Sequence, residues 1–305
     1  ISRFNTDYIG LFGSIAGGEV ENVVLTNVQI IGADDVGGLV GRLDSGTIST
    51  SFMTGAVTGL NDVGGLVGTH ENGTITASYA TGDVEGENDV GGLVGIHENG
   101  TITVSYTTGE VDGDSQVGGL VGMATGGTIS RSYAASKVSG TGSGLGGLIG
   151  SAANSPAVTN SFWDIETSGQ DQSAGGTGKT TAELKTIATF TDTGTDGLDE
   201  AWELDDVWTI KELTSGYISY PYFSSMSYDV PEANPAVNPI PGLEEIKYSG
   251  GDGSSSDPYK IANAANLIDL SNTPADWDKH FEQTDNIVFD SDEQNVDWNG
   301  DETVN

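Results

Sequence analysis

Histidine and glutamate recur together 27 residues apart, and these side chains are the ones in the sequence best suited to bind a metal. The two runs are His70–Gly73 and His97–Gly100, and both read His-Glu-Asn-Gly. If the chain folds with this period, two imidazoles and two carboxylates stack one strand apart, where a divalent ion could bridge them. The equivalent turns, Leu43–Asp44 and Ala124–Thr125, supply no third imidazole. We therefore favour a solvated ladder of turns over a metal site.

The acidic C-terminal stretch contains part of a calcium-loop pattern. Asp297, Asn299 and Asp301 would place oxygen ligands at the first, third and fifth positions of such a loop. Glu302 stands where the loop normally has glycine, and the sequence reaches Asn305 before the carboxylate expected at the last position. Calcium is the one cofactor that the sequence suggests, although an acidic end without a metal is the stronger interpretation. If calcium binds, a neighbouring molecule could supply the missing ligand.

Patterns that would indicate catalysis are weak. Gly175–Thr180 looks like a phosphate-binding loop, but Ser173 stands where the first glycine is required. An enzyme that cleaves acidic polysaccharides needs a basic groove. The repeats contain four basic residues, which are Arg3, Arg42, Arg131 and Lys137. With three histidines in the chain, two of them in a repeated turn, no serine–histidine–aspartate arrangement is available, and we expect no enzymatic activity.

These residues must be positioned by the repeats that fill the first half of the chain. A Val-Gly-Gly-Leu-Val-Gly phrase returns every 27 or 28 residues, followed each time by Gly-Thr-Ile-Ser/Thr, an aromatic residue and a short run around a valine. The phrase occupies residues 36–41, 63–68, 90–95 and 117–122, with variants at 8–13 and 145–150. Three short strands cannot bury an apolar face alone, but they can do so by stacking on the next repeat. The sequence therefore predicts an all-β fold, a parallel β-solenoid of about six coils.

Stacking should align one aliphatic side chain per coil in each of two core columns. One column comprises Leu39, Leu66, Leu93, Leu120 and Leu148, and the other comprises Ile48, Ile75, Ile102, Ile129 and Val158. The glycines of the repeated phrase allow two interpretations. They permit either close approach of backbones between coils or bends with positive φ.

Composition limits the partners. The 305 residues include 45 acidic and 10 basic side chains, which gives a net charge of −35. Because this charge repels phosphate backbones and anionic lipids, we expect neither nucleic-acid binding nor membrane insertion. No apolar stretch approaches the ~20 residues of a membrane span, and no signal-peptide pattern opens the sequence at Ile1. The abundance of Gly, Thr, Ser and Asn favours an extracellular, cell-surface protein.

Composition also divides the chain into four regions. Residues 1–165 contain the coils, and residues 166–223 form a small mixed cap region with a short helix. Residues 224–245 include four prolines and predict a stiff linker. Residues 246–305 have the composition of the start of a second module.

Two features define the expected cap. Thr180 and Glu183 form a capping-box pattern that predicts a helix ending near Phe190. A run rich in aromatic residues, from Trp202 to Phe223, offers the apolar surface needed to cover the open strand edges at the end of a solenoid.

The repeated phrase, together with Ile-Ser/Thr-x-Ser-Tyr and Gly-x-Val-x-Gly, resembles the GLUG repeat family of large bacterial and archaeal surface proteins. The resemblance covers residues 8–165 and implies a β-solenoid with an adhesin-like role. Residues 161–184 resemble the part that follows the coils in those proteins, and residues 248–262 resemble the part that precedes them. The order differs here, because the segment that normally opens a module stands at the end of this sequence.

Two arrangements of residues 246–305 are therefore open. The segment could fold back over its own first coil, or it could complete the first coil of the next molecule. A linker of about 20 residues spans up to ~70 Å and permits both. We favour the second arrangement, a head-to-tail filament, because heterologous contacts that do not close produce open fibres. The residues expected to form this joint are Ile1, Phe4, Tyr8, Tyr248, Tyr259, Ile261, Leu267, Trp277 and Phe281.

The predicted function is that of an extracellular structural protein whose partner is another copy of itself. The alternative is a monomeric adhesin or carbohydrate-binding module with the C-terminal segment folded back. In that case exposed columns of tyrosine and threonine would hold a glycan.

Overall fold

The structure is a computed structural model that describes residues 1–204, 207–210, 217–223, 244–245, 255, 259–261 and 280–283. Backbone contacts divide the chain into two units. One unit comprises Ile1–Ile210 with Tyr220–Gly242, and the other comprises Lys211–Ser219 with Leu243–Asn305. The coils lie in the first unit.

The first unit contains a series of short strands followed by short helices. Coil 1 holds β1 (Phe12–Glu21) and β2 (Val24–Ile31); coil 2 holds β3 (Asp34–Gly37), β4 (Val40–Ser49) and β5 (Phe52–Thr58); coil 3 holds β6 (Asn61–Gly64), β7 (Val67–His70), β8 (Thr74–Ala80) and β9 (Asp83–Glu85). Coil 4 holds β10 (Asn88–Gly91), β11 (Val94–His97) and β12 (Thr101–Gly113); coil 5 holds β13 (Ser115–Gly118), β14 (Val121–Ala124), β15 (Thr128–Ser130) and β16 (Tyr133–Gly140). Coil 6 holds β17 (Leu145–Gly146), β18 (Ile149–Ala152), β19 (Ala157–Thr159) and β20 (Phe162–Asp164). After the coils come α1 (Ile165–Ser168), β21 (Thr177–Lys179), α2 (Thr181–Leu184), α3 (Ala188–Thr191), β22 (Trp208–Thr209) and β24 (Tyr222–Phe223).

The second unit contains four described strands. They are β23 (Tyr217–Ile218), β25 (Glu244–Glu245), β26 (Tyr259–Ile261) and β27 (Phe281–Gln283). β23 pairs with β25 in antiparallel fashion, and β26 pairs with β27 in parallel.

The strands of successive coils pair in parallel and in register, which confirms the predicted β-solenoid. Ile75 lies between Ile48 and Ile102 in the sheet, and Ile129 pairs with Val158 in the last coil. The isoleucines of this column and all five leucines of the other are fully buried. The hydrophobic core is therefore continuous from coil to coil, as the spacing predicts.

The glycines of the repeated phrase allow the backbones of adjacent coils to approach closely. A Cβ atom on Gly91 would overlap the carbonyl oxygen of Val94 and lie 2.6 Å from the backbone nitrogen of Gly122 in the next coil. The φ angle of Gly91 is not in the left-handed region. Of the two interpretations of these glycines, close approach is the correct one here.

A left-handed residue turns the chain after each strand that carries the core isoleucine. The residues at this corner have φ between 45° and 50° and are Thr50, Ala77, Val104, Arg131 and Asn160. A buried serine follows each of them. Ser105 Oγ donates to the carbonyl of Thr103 at 2.9 Å and the Ser105 amide donates to Ser132 Oγ at 3.1 Å, so the polar groups at the corner are satisfied along the stack.

The aromatic residue of each repeat forms a second, buried ladder. Tyr106 stacks between Tyr79 and Tyr133, with ring centroids 4.6 and 5.2 Å apart. Phe52 stacks on Tyr79 at the lower end of the ladder. All three tyrosines are at most 2% exposed. The expectation of an exposed tyrosine column that holds a glycan is therefore wrong.

Aromatic residues from the region after the coils cover this ladder along the side of the coils. Trp208 contacts Tyr106 and Tyr133, each with ring centroids 6.0 Å apart, and Phe223 contacts Tyr106 at 5.3 Å. The hydroxyl of Tyr133 donates to the carbonyl of Pro221 at 2.7 Å. This packing explains why the tyrosine ladder is dry.

The helices after the coils are short and are held by polar contacts. Thr180 and Glu183 form the predicted capping box, but α2 ends at Leu184 and α3 is a separate helix. Asp164 is fully buried and accepts hydrogen bonds from Tyr220 and from Thr181. Burial alone would raise the pKa of Asp164, but these hydrogen bonds hold it below its usual value.

Candidate functional site

The most distinctive surface of the first unit is the exposed apolar face of coil 1, here called the open end. Ile1, Phe4 and Tyr8 are 53%, 73% and 45% exposed. Three further large side chains are exposed there, namely Leu11, Phe12 and Val24. In contrast, the equivalent positions of later coils are buried, because each of those coils is covered by its neighbour. A hydrophobic patch of this kind marks a surface that binds another polypeptide.

The backbone of the open end is also incompletely paired. Among the described residues, β1 pairs only with β4. β2 pairs with β5, and its other edge has a single bridge from Ser2 to Ile31. An edge of this type presents free N–H and C=O groups to an additional strand. The open end therefore offers both apolar area and backbone hydrogen bonds.

Irregularities in β1 limit how a further strand could pair. The register between β1 and β4 shifts twice, between Ile15 and Ala16 and between Ala16 and Glu19. Glu19 and Glu21 also place carboxylates on this strand. Bulges and charges restrict indiscriminate edge pairing, so a partner strand must match this shape.

The second unit contains a parallel strand pair of the kind that builds a solenoid. Tyr259 pairs with Phe281 and Ile261 pairs with Gln283 in β26 and β27. Parallel strands need a crossover connection and cannot form from a simple hairpin. Residues 259–283 therefore contain one coil-like turn, in the segment whose sequence is expected to open a module.

The structure places the predicted joint residues as follows. Ile1, Phe4 and Tyr8 lie together at the open end. Tyr259, Ile261 and Phe281 lie in β26 and β27. Tyr248, Leu267 and Trp277 lie outside the described residues. The joint itself stays a prediction.

The candidate calcium ligands also lie outside the part of the chain that the structure describes. They are Asp297, Asn299 and Asp301. Within the described residues, no group of three or more histidine, aspartate and glutamate side chains is arranged to hold a metal ion. Calcium binding therefore stays a prediction as well.

His70 and His97 occupy the core and do not form the solvated ladder expected from their polar neighbours. Both imidazoles are fully buried, and their Nδ1 atoms are 3.1 Å apart. Glu71 pairs with Arg42 instead of approaching the imidazoles. The histidine and glutamate side chains therefore do not converge on a common ligand.

The hydrogen bonds of this pair indicate its protonation. The Gly73 amide donates to His70 Nε2 at 3.2 Å, so the proton of a neutral His70 lies on Nδ1 and is donated to His97 Nδ1. Burial lowers the pKa of His70 to about 4, and burial together with the neighbouring His70 lowers the pKa of His97 to about 3. Both rings are neutral at physiological pH, and their role is structural.

A column of carboxylates, which we did not identify from the sequence, lies at another corner of the coils. Asp35, Asp62 and Asp89 immediately precede the valines that begin coils 2, 3 and 4, and all have φ between 52° and 57°. Burial raises the pKa of Asp62 to about 7, and the charges of Asp35 and Asp89 raise it further in the same direction. Gln116 occupies the next position in this column. The 27-residue spacing of these four residues is the signal that could have revealed the column.

Replacing Asp62 by asparagine should stabilise the fold in a pH-dependent manner. Because the folded state raises the pKa of Asp62, its stabilising contribution is complete below about pH 4 and is lost as the pH rises through about 7. Asparagine tolerates positive φ and carries no charge. We expect Asp62→Asn to raise the free energy of unfolding by about 1–2 kcal/mol at pH 8, since solvent still reaches part of the side chain.

Urea unfolding at pH 4.5 and pH 8 would measure this effect. The gain should be small at pH 4.5 and largest at pH 8. Asp171→Asn, at an exposed position, is the matched control and should change little at either pH. An equal gain at both pH values would contradict the electrostatic explanation.

The described helices are each four residues long, and none is long and apolar enough to cross a membrane.

Comparisons with known proteins agree with the solenoid. A protein of Evansella cellulosilytica described as a Gly-rich membrane protein is 39% identical over 89 residues, which are 28% of this chain and 9% of the relative. The chain therefore spans a small part of that relative's length. A crystal structure from Bacteroides ovatus, described as an immunoglobulin A1 protease, aligns with a TM-score of 0.49 and 20% identity over 72% of this chain and 74% of the other. The sequence profile of the GLUG motif matches residues 59–85, which comprise all of β6 to β9. The resemblance to GLUG-repeat proteins is thus confirmed, and coil 3 of this chain is a GLUG motif.

Proposed function

We propose that the protein is an extracellular structural component of a microbial cell surface and that copies of it join head to tail into a filament. The observation that carries this proposal is the open end, where large apolar side chains and an unpaired strand edge coincide. The buried, in-register core of coils 2 to 6 supports a load-bearing role. Catalysis has no part in the proposal, because the two histidines of the coils are buried and neutral.

The joint would form by strand addition. In this proposal the C-terminal segment of one molecule, residues 246–305, lies over β1 and β2 of the next. The parallel pairing of β26 with β27 supports this choice of segment, because an added coil must present parallel strands to coil 1. Apolar residues of the segment would cover the open end, and backbone groups would pair with the free edge.

The assembly predicts that one substitution at the open end prevents association. Leu11 is 47% exposed there, and Leu11→Asp would place a charge in the buried joint. We expect the unmodified chain to form species larger than a monomer as its concentration rises, and Leu11→Asp to raise the dissociation constant at least about 100-fold, since burying an unpaired carboxylate costs several kcal/mol. Sedimentation velocity over a dilution series would measure both.

Leu60→Asp is the matched control, because Leu60 is 41% exposed and lies on a turn between coils 2 and 3. This variant should assemble like the unmodified chain. A monomer at every concentration would contradict the proposal and would favour the fold-back arrangement. Equal assembly of the Leu11 and Leu60 variants would show that the open end is not the joint.

A further inference from the structure

Coils 2 to 5 carry a regular array of hydroxyl groups on one outer face. On β8 and β12 the buried isoleucine lies between two threonines, as in Thr74-Ile75-Thr76. Because the strands pair in register, Thr74 lies beside Thr101 and Thr76 lies beside Thr103. The first column of the array comprises Thr47, Thr74, Thr101 and Thr128.

The second column lies two residues further along the same strands. It comprises Ser49, Thr76, Thr103 and Ser130. Coil 1 has Glu19 and Glu21 at the paired positions, so the array begins at coil 2. In coil 6 only the second column continues, with Thr159 beside Ser130. The array is thus two hydroxyl groups wide and at least four coils long.

The aromatic ladder shows that these coils are nearly untwisted. Consecutive rings from Phe52 to Tyr133 are inclined by only 7° or 8°, with centroids 4.5 to 5.2 Å apart. Adjacent strands in ordinary sheets rotate by about 20–25°. Strands that follow one another without this rotation produce a flat face, and the hydroxyl columns on it form a planar lattice.

The chemistry of the array is neutral and largely unsatisfied. All eight side chains of the two columns are partly exposed. Ser130 Oγ donates to Thr103 Oγ1 at 3.0 Å. Within the described part of the chain, the hydroxyls of Thr74, Thr76 and Thr101 make no hydrogen bond. Neither column contains a charged or aromatic side chain from coil 2 to coil 5, although the chain has a net charge of −35.

We propose that this hydroxyl array binds the surface of ice. Its hydroxyls repeat at about 4.8 Å between coils and at about 6.7 Å along each strand, which is the scale on which oxygen rows repeat in an ice crystal. A flat, uncharged face complements an uncharged lattice of water oxygens, whereas an ionic ligand would find no counter-charge. The threonine methyl groups exclude disordered water, and the hydroxyls hydrogen-bond to the ordered water that remains.

Partitioning into a slowly growing ice crystal tests this proposal, with a small dye as the excluded solute. The unmodified chain should be enriched in the ice fraction relative to the dye. Thr76→Lys inserts a long charged side chain into the centre of the array and should lower this enrichment at least about tenfold, equivalent to about 1.4 kcal/mol. Thr193→Lys, at an exposed threonine outside the array, should behave like the unmodified chain.

A second variant guards against misfolding. Thr101→Val keeps the β-branched shape and removes one hydroxyl, so it should fold normally by circular dichroism and still lose part of the enrichment. Exclusion of the unmodified chain from ice, or equal partitioning of the Thr76 and Thr193 variants, would overturn the proposal. The proposal does not depend on filament formation, because Leu11→Asp leaves the array intact and should retain ice binding.

Discussion

Gly91→Ala should abolish stable folding of the coils. A Cβ atom at this position would overlap the Val94 carbonyl oxygen and approach the Gly122 nitrogen to 2.6 Å, and both are backbone atoms that cannot rotate away. The two coils would have to separate, which breaks parallel hydrogen bonds on both sides. We expect a loss of more than about 3 kcal/mol in the free energy of unfolding. Urea unfolding followed by circular dichroism would measure it.

Gly194→Ala provides the control for this prediction. Gly194 is not in the left-handed region, and a Cβ atom there would contact only the side chain of Asp192, at 3.2 Å. This variant should unfold within about 0.5 kcal/mol of the unmodified chain. If Gly91→Ala were equally well tolerated, the close approach of adjacent coils would not be a requirement of the fold.

Tyr106→Ala should cause the second largest loss. The ring of Tyr106 stacks on two other tyrosines and also contacts Trp208 and Phe223, so its removal leaves a large cavity between the coils and the residues that cover them. Truncation of a buried aromatic residue costs about 3–5 kcal/mol. The near-ultraviolet circular dichroism of the packed aromatic residues should weaken, because Trp208 loses a ring that it contacts.

Tyr106→Phe separates the ring from its hydroxyl. Phenylalanine already occupies this ladder at Phe52 and Phe162, so the substitution should cost only about 0.5–1.5 kcal/mol. A loss as large as that of the alanine variant would assign the stability to the hydroxyl and would contradict the role of stacking.

The aliphatic core could be predicted from the sequence because one period governs it. Ile75 and Ile102 are 27 residues apart and lie side by side, and stacking alone requires this arrangement. The aromatic ladder could not be placed on the same basis. A left-handed corner at Val104 lies between Ile102 and Tyr106, and it interrupts the two-residue alternation that would otherwise tell inward from outward side chains.

The histidine pair shows which additional signal the sequence contains. His70 and His97 precede a polar Glu-Asn-Gly turn, which suggests solvent exposure. Their partners in the same column of the sheet are Leu43 and Ala124. Apolar residues at equivalent positions indicate a buried column, so comparison between coils predicts burial better than the neighbours along the chain do.

The source of the strand that covers the open end is the central claim, and cross-linking tests it most directly. The chain has no cysteine, so Val24→Cys and Ile261→Cys can be placed in separate copies, mixed, and joined with a bis-maleimide. Our account predicts a cross-linked dimer that contains one copy of each variant. A chain that carries both cysteines and yields only an internally linked monomer, while the mixture yields no dimer, would contradict head-to-tail assembly.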